Sequence, residues 1–155
     1  MNAQPDLLRG LTDEQVERVL ALGMRTSVAS GTDLFSLGGN AECVYLISRG
    51  RIRLTLPMKV RGSDEDVLVE ERCAGQTIGW SALTPPHRFT LKATAPLDAE
   101  VICLPRKKLH EYFAAHPAVG VTVALNLAAV VGERLQLFQT MWLREIQRTI
   151  ELTCA

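Results

Sequence analysis

Between Met24 and about Leu104 glycine cuts the chain into short apolar runs, with turns at Ser30-Gly31, Gly38-Gly39, Arg49-Gly50, Gly62-Ser63 and Ala74-Gly75. The segments between them are rich in Val, Ile, Leu and Thr and too short for helices, so the middle of the chain reads as all-β. Within it Ile52, Leu54 and Leu56 alternate with Arg51, Arg53 and Thr55. A period of two sets one strand face in a core and the other in water. The clearest strands are Val44 to Ser48, Arg51 to Leu56, Val67 to Glu71, Phe89 to Ala95 and Glu100 to Leu104. Their turn spacing suits a jelly roll, a double-stranded β-helix.

Helical signals flank this roll. Thr12-Asp13-Glu14-Gln15 has the form of a capping box ahead of Val16, Val19 and Leu20, which predicts a short helix over 12–22. After Pro105 a short helix is expected over Arg106 to Ala115, and Pro117 stands as the first-turn proline of a long one reaching about Ile150. At about 1.5 Å per residue the long helix runs roughly 50 Å, more than a roll of this size can cover. Leu127, Val131, Leu135, Phe138, Trp142 and Ile146 fall at spacings of three and four along it. Val130, Leu137, Met141 and Ile150 begin a second stripe. Such stripes commonly belong to one wide core face, but here one suits the roll and the other a partner, so a twofold dimer through this helix is expected.

The 155 residues are read as one domain, 1–155, with the roll over about 24–104 and the C-terminal helices over about 105–150. Seventeen basic and seventeen acidic residues cancel, so no broad field draws a nucleic acid or an anionic membrane. Cys43, Cys73, Cys103 and Cys154 lack CxxC spacing and read as reduced structural thiols, with no metal expected. The N-terminus lacks the basic start and apolar run of a secretory signal. Ala118 to Val131, interrupted by Asn126, is short of the about 20 residues a membrane span needs, and a cytoplasmic protein is expected.

One stretch carries chemistry: Gly79-Trp80-Ser81-Ala82-Leu83-Thr84-Pro85-Pro86-His87-Arg88-Phe89-Thr90. A glycine-led turn directs backbone N–H groups outward and the arginine adds a planar cation, a seat for an anion such as phosphate. Plainer readings stand beside this. Arg88 serves equally well as a surface or ion-paired residue, Trp80 as a core aromatic, Ser81 as a cap, and His87 as a solvated loop residue. His110 and His116 suit helix ends.

The whole chain resembles the cyclic nucleotide-binding domain family, as in the sensory half of catabolite-activator and fumarate-nitrate type regulators. The likeness rests on Gly31-Thr32-Asp33-Leu34-Phe35-Ser36-Leu37-Gly38-Gly39 and on the hairpin from Val44 through Gly50 to Leu54, and covers about residues 12–150. It implies a jelly roll flanked by an N-terminal and a long C-terminal helix, a ligand pocket inside the roll, and a dimer contact along the long helix. The family's phosphate-binding cassette is matched at Gly79, Ala82, Leu83 and Arg88. Trp80 replaces the glutamate that binds the ribose hydroxyl, and Phe89 replaces a small or hydroxyl residue. Losing a hydrogen bond to a charged carboxylate weakens binding by roughly ten- to a hundredfold.

The ligand-binding set expected from the turn and the resemblance is Gly79, Trp80, Ser81, Ala82, Arg88, Phe89 and Thr90. The function it implies is a stand-alone regulatory domain sensing a small anionic ligand, a cyclic nucleotide or another phosphorylated or carboxylated molecule, and signalling through its dimer helix. Two alternatives compete: an interaction module for a protein partner whose pocket is filled by Trp80 and Phe89, and the sensory part of a transcription regulator without its DNA-binding domain. Many relatives place a helix-turn-helix after the long helix, and this chain stops at Ala155, so direct DNA contact is not expected unless it is truncated. No catalytic residues, cofactor or metal are expected: no nucleophile, base and acid share a usable spacing, and the histidines do not alternate on one strand as in a cupin.

Overall fold

The computed structural model describes residues 4–154; Met1 to Ala3 and Ala155, counted in the expected domain, lie outside the described residues. After a single 3-10 turn over Asp6–Leu8, helix α1 spans Asp13–Leu20. Its capping box closes as the sequence predicts: the Gln15 amide donates to Thr12 Oγ1 at 3.2 Å and the Thr12 amide to Gln15 Oε1 at 2.9 Å. Two of the orphan amides of the helix start are thereby satisfied.

Eight strands follow: β1 (Met24–Val28), β2 (Asp33–Phe35), β3 (Cys43–Arg49), β4 (Arg51–Val60), β5 (Ser63–Cys73), β6 (Thr77–Ile78), β7 (Lys92–Thr94) and β8 (Ala99–Pro105). They form two four-stranded antiparallel sheets, β1-β8-β3-β6 and β2-β7-β4-β5. This is the mainly β roll that the glycine pattern predicts, flanked by helices as the capping box and Pro117 predict. Gly50 alone joins β3 to β4, with φ +82°, and a Cβ there would stand 3.0 Å from the Asp98 carbonyl. Only glycine fits both demands.

Strand β3 feeds two cores because its faces alternate. Val44 and Leu46 pack with Leu7, Val19, Leu104, Leu109 and Val123 beneath the helices. Ile47 points the other way, toward Ile52, Leu54, Ile78 and Val101 inside the roll.

Two strand expectations need correction. Thr55, assigned to the water face of β4, is 7% exposed. Leu54 pairs with Glu70 while Thr55 pairs with Leu68, so Val69 is an extra residue in β5 and the bulge changes which side chains turn inward. Residues 89–91 and 95, assigned to a strand, are not part of one, and β7 covers only Lys92–Thr94. Phe89 instead bonds through its amide to Gly39 O at 3.0 Å and through its carbonyl to the Gly38 amide at 2.8 Å.

Helix α2 spans Arg106–Ala115 and α3 Pro117–Thr153, with Pro117 in the first turn. The first part of α3 is held to the body by buried Val119, Val123 and Val130, and by Asn126 Nδ2, which donates to Leu7 O at 3.0 Å and Arg9 O at 2.8 Å. From Phe138 onward its described side chains are exposed. The expectation that no segment reaches membrane-spanning length is overturned: α3, at 37 residues, is long and apolar enough by length and composition alone. The contacts of Asn126 and of the three valines nevertheless tie its first half to the protein body.

Candidate functional site

Gly79 adopts the left-handed conformation, φ +70°, and opens a 3-10 turn over Trp80–Leu83. A Cβ at Gly79 would lie 3.1 Å from the Tyr45 ring and 3.2 Å from that of Phe89. The turn is therefore pressed against the aromatic wall of the roll. Phe89 is buried and stacks on Phe35, with ring centres 3.8 Å apart and planes 9° from parallel. Tyr45 also stacks on Phe35, at 5.8 Å, and its hydroxyl is pushed up to about 12, chiefly by burial.

Behind this stack a cavity of about 10 Å³ remains. That is the room of one water molecule. Of the residues singled out in the sequence, Gly79, Trp80, Ser81, Phe89 and Thr90 line it. Ala82 is fully buried but belongs to the core beneath the helices. Arg88 does not line the cavity: it is exposed, and its Nη1 donates to the Gly38 carbonyl at 3.0 Å. In this conformation the arginine braces the Gly38-Gly39 loop.

His87 differs from its expected role as a solvated loop residue. It is half-buried, and its Nδ1 lies 3.0 Å from the Ala82 carbonyl, fastening the Pro85-Pro86 loop onto the 3-10 turn. His116 does sit at a helix end, stacked on Tyr112 at 4.3 Å, but His110, expected at a helix end too, lies in the middle of α2. The four cysteines are free, and the Cys103 thiol is pushed up to about 12 by burial and by its neighbour Cys43. Among the described residues no cluster of His, Cys, Asp and Glu could hold a metal.

The site also contains charges that were not foreseen. Glu70 and Arg72 of β5 pair in register with Leu54 and Ile52, both fully buried, and residues in register share a face. Both charged side chains therefore point into the roll. There Glu70 Oε1 meets Arg72 Nε at 2.6 Å, and Glu70 Oε2 meets Nη2 of Arg134, from α3, at 2.9 Å. Arg134 lines the same cavity as Trp80, its guanidinium carbon 5.7 Å from the Trp80 ring centre. Burial pulls its pKa down, and Glu70 works against that pull. The long helix is thus joined to the roll interior through a buried ion cluster.

The chain is thus a two-sheet roll with a glycine-led turn beside an internal cavity and a long C-terminal helix. Residues 25–116 match the family model described as "Cyclic nucleotide-binding domain", and the chain belongs to that family. It is similar to glutaminase 1 of Bradyrhizobium diazoefficiens, 25% identical over 86% of this chain and 20% of that protein. It is also similar to the cyclic AMP receptor protein of Thermus thermophilus, 26% identical over 84% of this chain and 57% of the relative. The chain thus spans between a fifth and about three fifths of these two relatives. Among solved structures, the catabolite activator protein of Thermus thermophilus superposes with a TM-score of 0.70 at 25% identity, over 96% of this chain and 63% of that one.

Proposed function

We propose that this domain is a regulatory module that acts by pairing its α3 helix with that of a second copy, its roll closed by its own side chains against nucleotide-sized ligands. The observation that carries this reading is the outward face of α3. Val121, Leu125, Ala128, Gly132, Leu135, Trp142 and Ile146 recur there at coiled-coil spacing, with Gln139 filling the one polar position. Leu125 is 67% exposed, Leu135 57% and Trp142 64%, while a Cβ added at Gly132 would meet nothing within 4 Å. Of the first stripe read from the sequence, Leu127 and Val131 are half-buried, and Leu135, Phe138, Trp142 and Ile146 are exposed. An apolar seam of that length is normally covered, and a twofold axis lets the same surface cover itself.

The closed interior supports the second half of the reading. Small-molecule sites usually offer about 300–1,000 Å³. The space behind Phe35 and Phe89 is about 10 Å³. A nucleotide-sized ligand would have to displace both rings. A cytoplasmic, non-catalytic protein goes with this reading.

Sedimentation at micromolar concentration tests it: a dimer is expected, and Ile146→Glu, which sets a charge in the seam, should yield a monomer with an unchanged roll. A monomeric parent protein would refute the pairing.

A second reading is favoured by the family match over residues 25–116: a sensor of cyclic AMP or cyclic GMP that opens by withdrawing Phe89. Melting the protein with each nucleotide separates the two. At a hundred times the dissociation constant a ligand adds about 2.7 kcal/mol, or roughly 5–10 °C, so a shift of that size selects the sensor and its absence selects the closed module.

A further inference from the structure

The interior of the roll carries an unbalanced charge. Arg72 and Arg134 face Glu70, and their side chains keep 6%, 8% and 15% of their surface respectively. A guanidinium holds its proton throughout the physiological range, so neither arginine can discharge itself. One carboxylate neutralises one of them. The other positive charge stays out of bulk water, where an uncompensated ion is strongly destabilising. Among the described residues Glu70 is the only carboxylate ion-paired with either arginine.

Hydrogen-bond donors are left over at the same place. Nε of Arg134 and the indole Nε1 of Trp80 are buried, and among the described residues neither has a hydrogen-bond partner. Both side chains line one cavity. Buried N–H groups are rarely left unpaired, because removing them from water without an acceptor forfeits their hydration. Two free donors beside one surplus positive charge describe the missing partner: an acceptor with one negative charge. The cavity of about 10 Å³ sets its size near that of a water molecule.

We propose that Trp80 and Arg134 form a buried seat for one small monovalent anion of halide or formate size. Because Trp80 belongs to the 3-10 turn and Arg134 to α3, the bound anion ties the helix to the roll. The seat differs from the surface position of Arg88 and is too small for a phosphate ester. It does not depend on the pairing of α3, which is read from molecular mass.

The test is a titration of the full chain with sodium chloride and with sodium formate, replacing sodium gluconate at constant ionic strength. In a proton–nitrogen correlation spectrum the two tryptophans give two indole signals, and Trp142→Phe identifies that of Trp80. The Trp80 signal should shift saturably while that of Trp142 stays, and Tm should rise by about 3–6 °C at roughly ten times the dissociation constant. Arg134→Met should abolish both effects. Glu70→Gln enlarges the surplus charge and should tighten binding about tenfold or more, as expected for unit charges several ångströms apart at an effective dielectric of about 20. Should Arg134→Met fail to fold, the parent and Glu70→Gln decide the matter. A Trp80 signal that does not saturate, equal movement of both indoles, or an unchanged affinity in Glu70→Gln would overturn the proposal.

Discussion

Phe89→Ala is the most direct probe of what closes the roll. The ring is 6% exposed and stacked on Phe35 at 3.8 Å, so its removal forfeits nearly all of a buried side chain. Burial of such a side chain contributes about 1.5–3 kcal/mol, and an aromatic pair adds about 0.5–1.5 kcal/mol. The surrounding β framework, with Leu54, Leu91 and Ala93 fixed by strand pairing or burial, collapses little, so a cavity term is added. The expected loss is about 3–5 kcal/mol, the usual range for a buried phenylalanine. For a chain of this length that lowers Tm by roughly 6–20 °C. Denaturant melts of the single variants and of the double variant with Phe35→Ala measure both terms, and the coupling between the rings should be about 0.5–1.5 kcal/mol. Benzene should stabilise Phe89→Ala and leave the parent unaffected, because only the variant has room for a ring. A loss below about 1 kcal/mol without response to benzene would mean that Phe89 does not fill the interior, and the closed-roll argument would fail.

Thiol titration should divide the cysteines: exposed Cys73 and Cys154 react quickly with an aromatic disulfide, whereas Cys103, raised to about 12 mainly by burial, stays protected until unfolding. Simultaneous reaction of all four thiols would contradict the packing of β3 against β8. Acid should weaken the fold through two surface carboxylates: hydrogen bonds from Arg51 and then Arg53 hold Glu71 below its ordinary range, and bonds from Ser48 and then Arg25 do so for Glu100. A lowered folded pKa gives stability that is present above the unfolded value of about 4.3 and is lost as pH falls through the folded one. Urea midpoints measured between about pH 5 and pH 3 should therefore fall less steeply in Glu71→Gln and Glu100→Gln, and identical slopes would refute the assignment.

The frame of the molecule could be read from local rules. The turns at Gly31, Gly38, Gly50, Gly62 and Gly75 all have positive φ, and the Thr12–Gln15 box and the Pro117 start form as their residue types dictate. The interior charges could not be read that way. Glu70 and Arg72 look like water-facing residues in a strand, and only the register against Ile52 and Leu54, altered by the extra Val69, turns them inward. Register is a property of two strands, and no short stretch of one strand encodes it. Arg134 did leave a trace. It follows Val130 by four positions and precedes Leu137 by three, a charged residue in the middle of an apolar stripe. Such a position is occupied by a charge only when something in the core answers it. Phe89 was visible as a departure from the cassette, but that its ring would stack on Phe35 depended on where β2 lies in the opposite sheet.

Gly132 distinguishes a free helix from a paired one. In the middle of α3 a glycine costs about 1 kcal/mol relative to alanine, and a Cβ there would meet no other side chain of the described residues within 4 Å. Intramolecular physics therefore predicts that Gly132→Ala stabilises the isolated chain by about 1 kcal/mol, raising Tm by roughly 2–4 °C. Pairing predicts the opposite at higher concentration. Gly132 lies on the Val121–Ile146 seam, flanked by Ala128 and Leu135, and two helices crossing at small residues approach closely enough for an added methyl to separate them. The variant should therefore gain stability when dilute and monomeric, and show a weaker dimer in sedimentation. Equal stabilisation at every concentration, with the dimer constant unchanged, would move the contact off this face of α3.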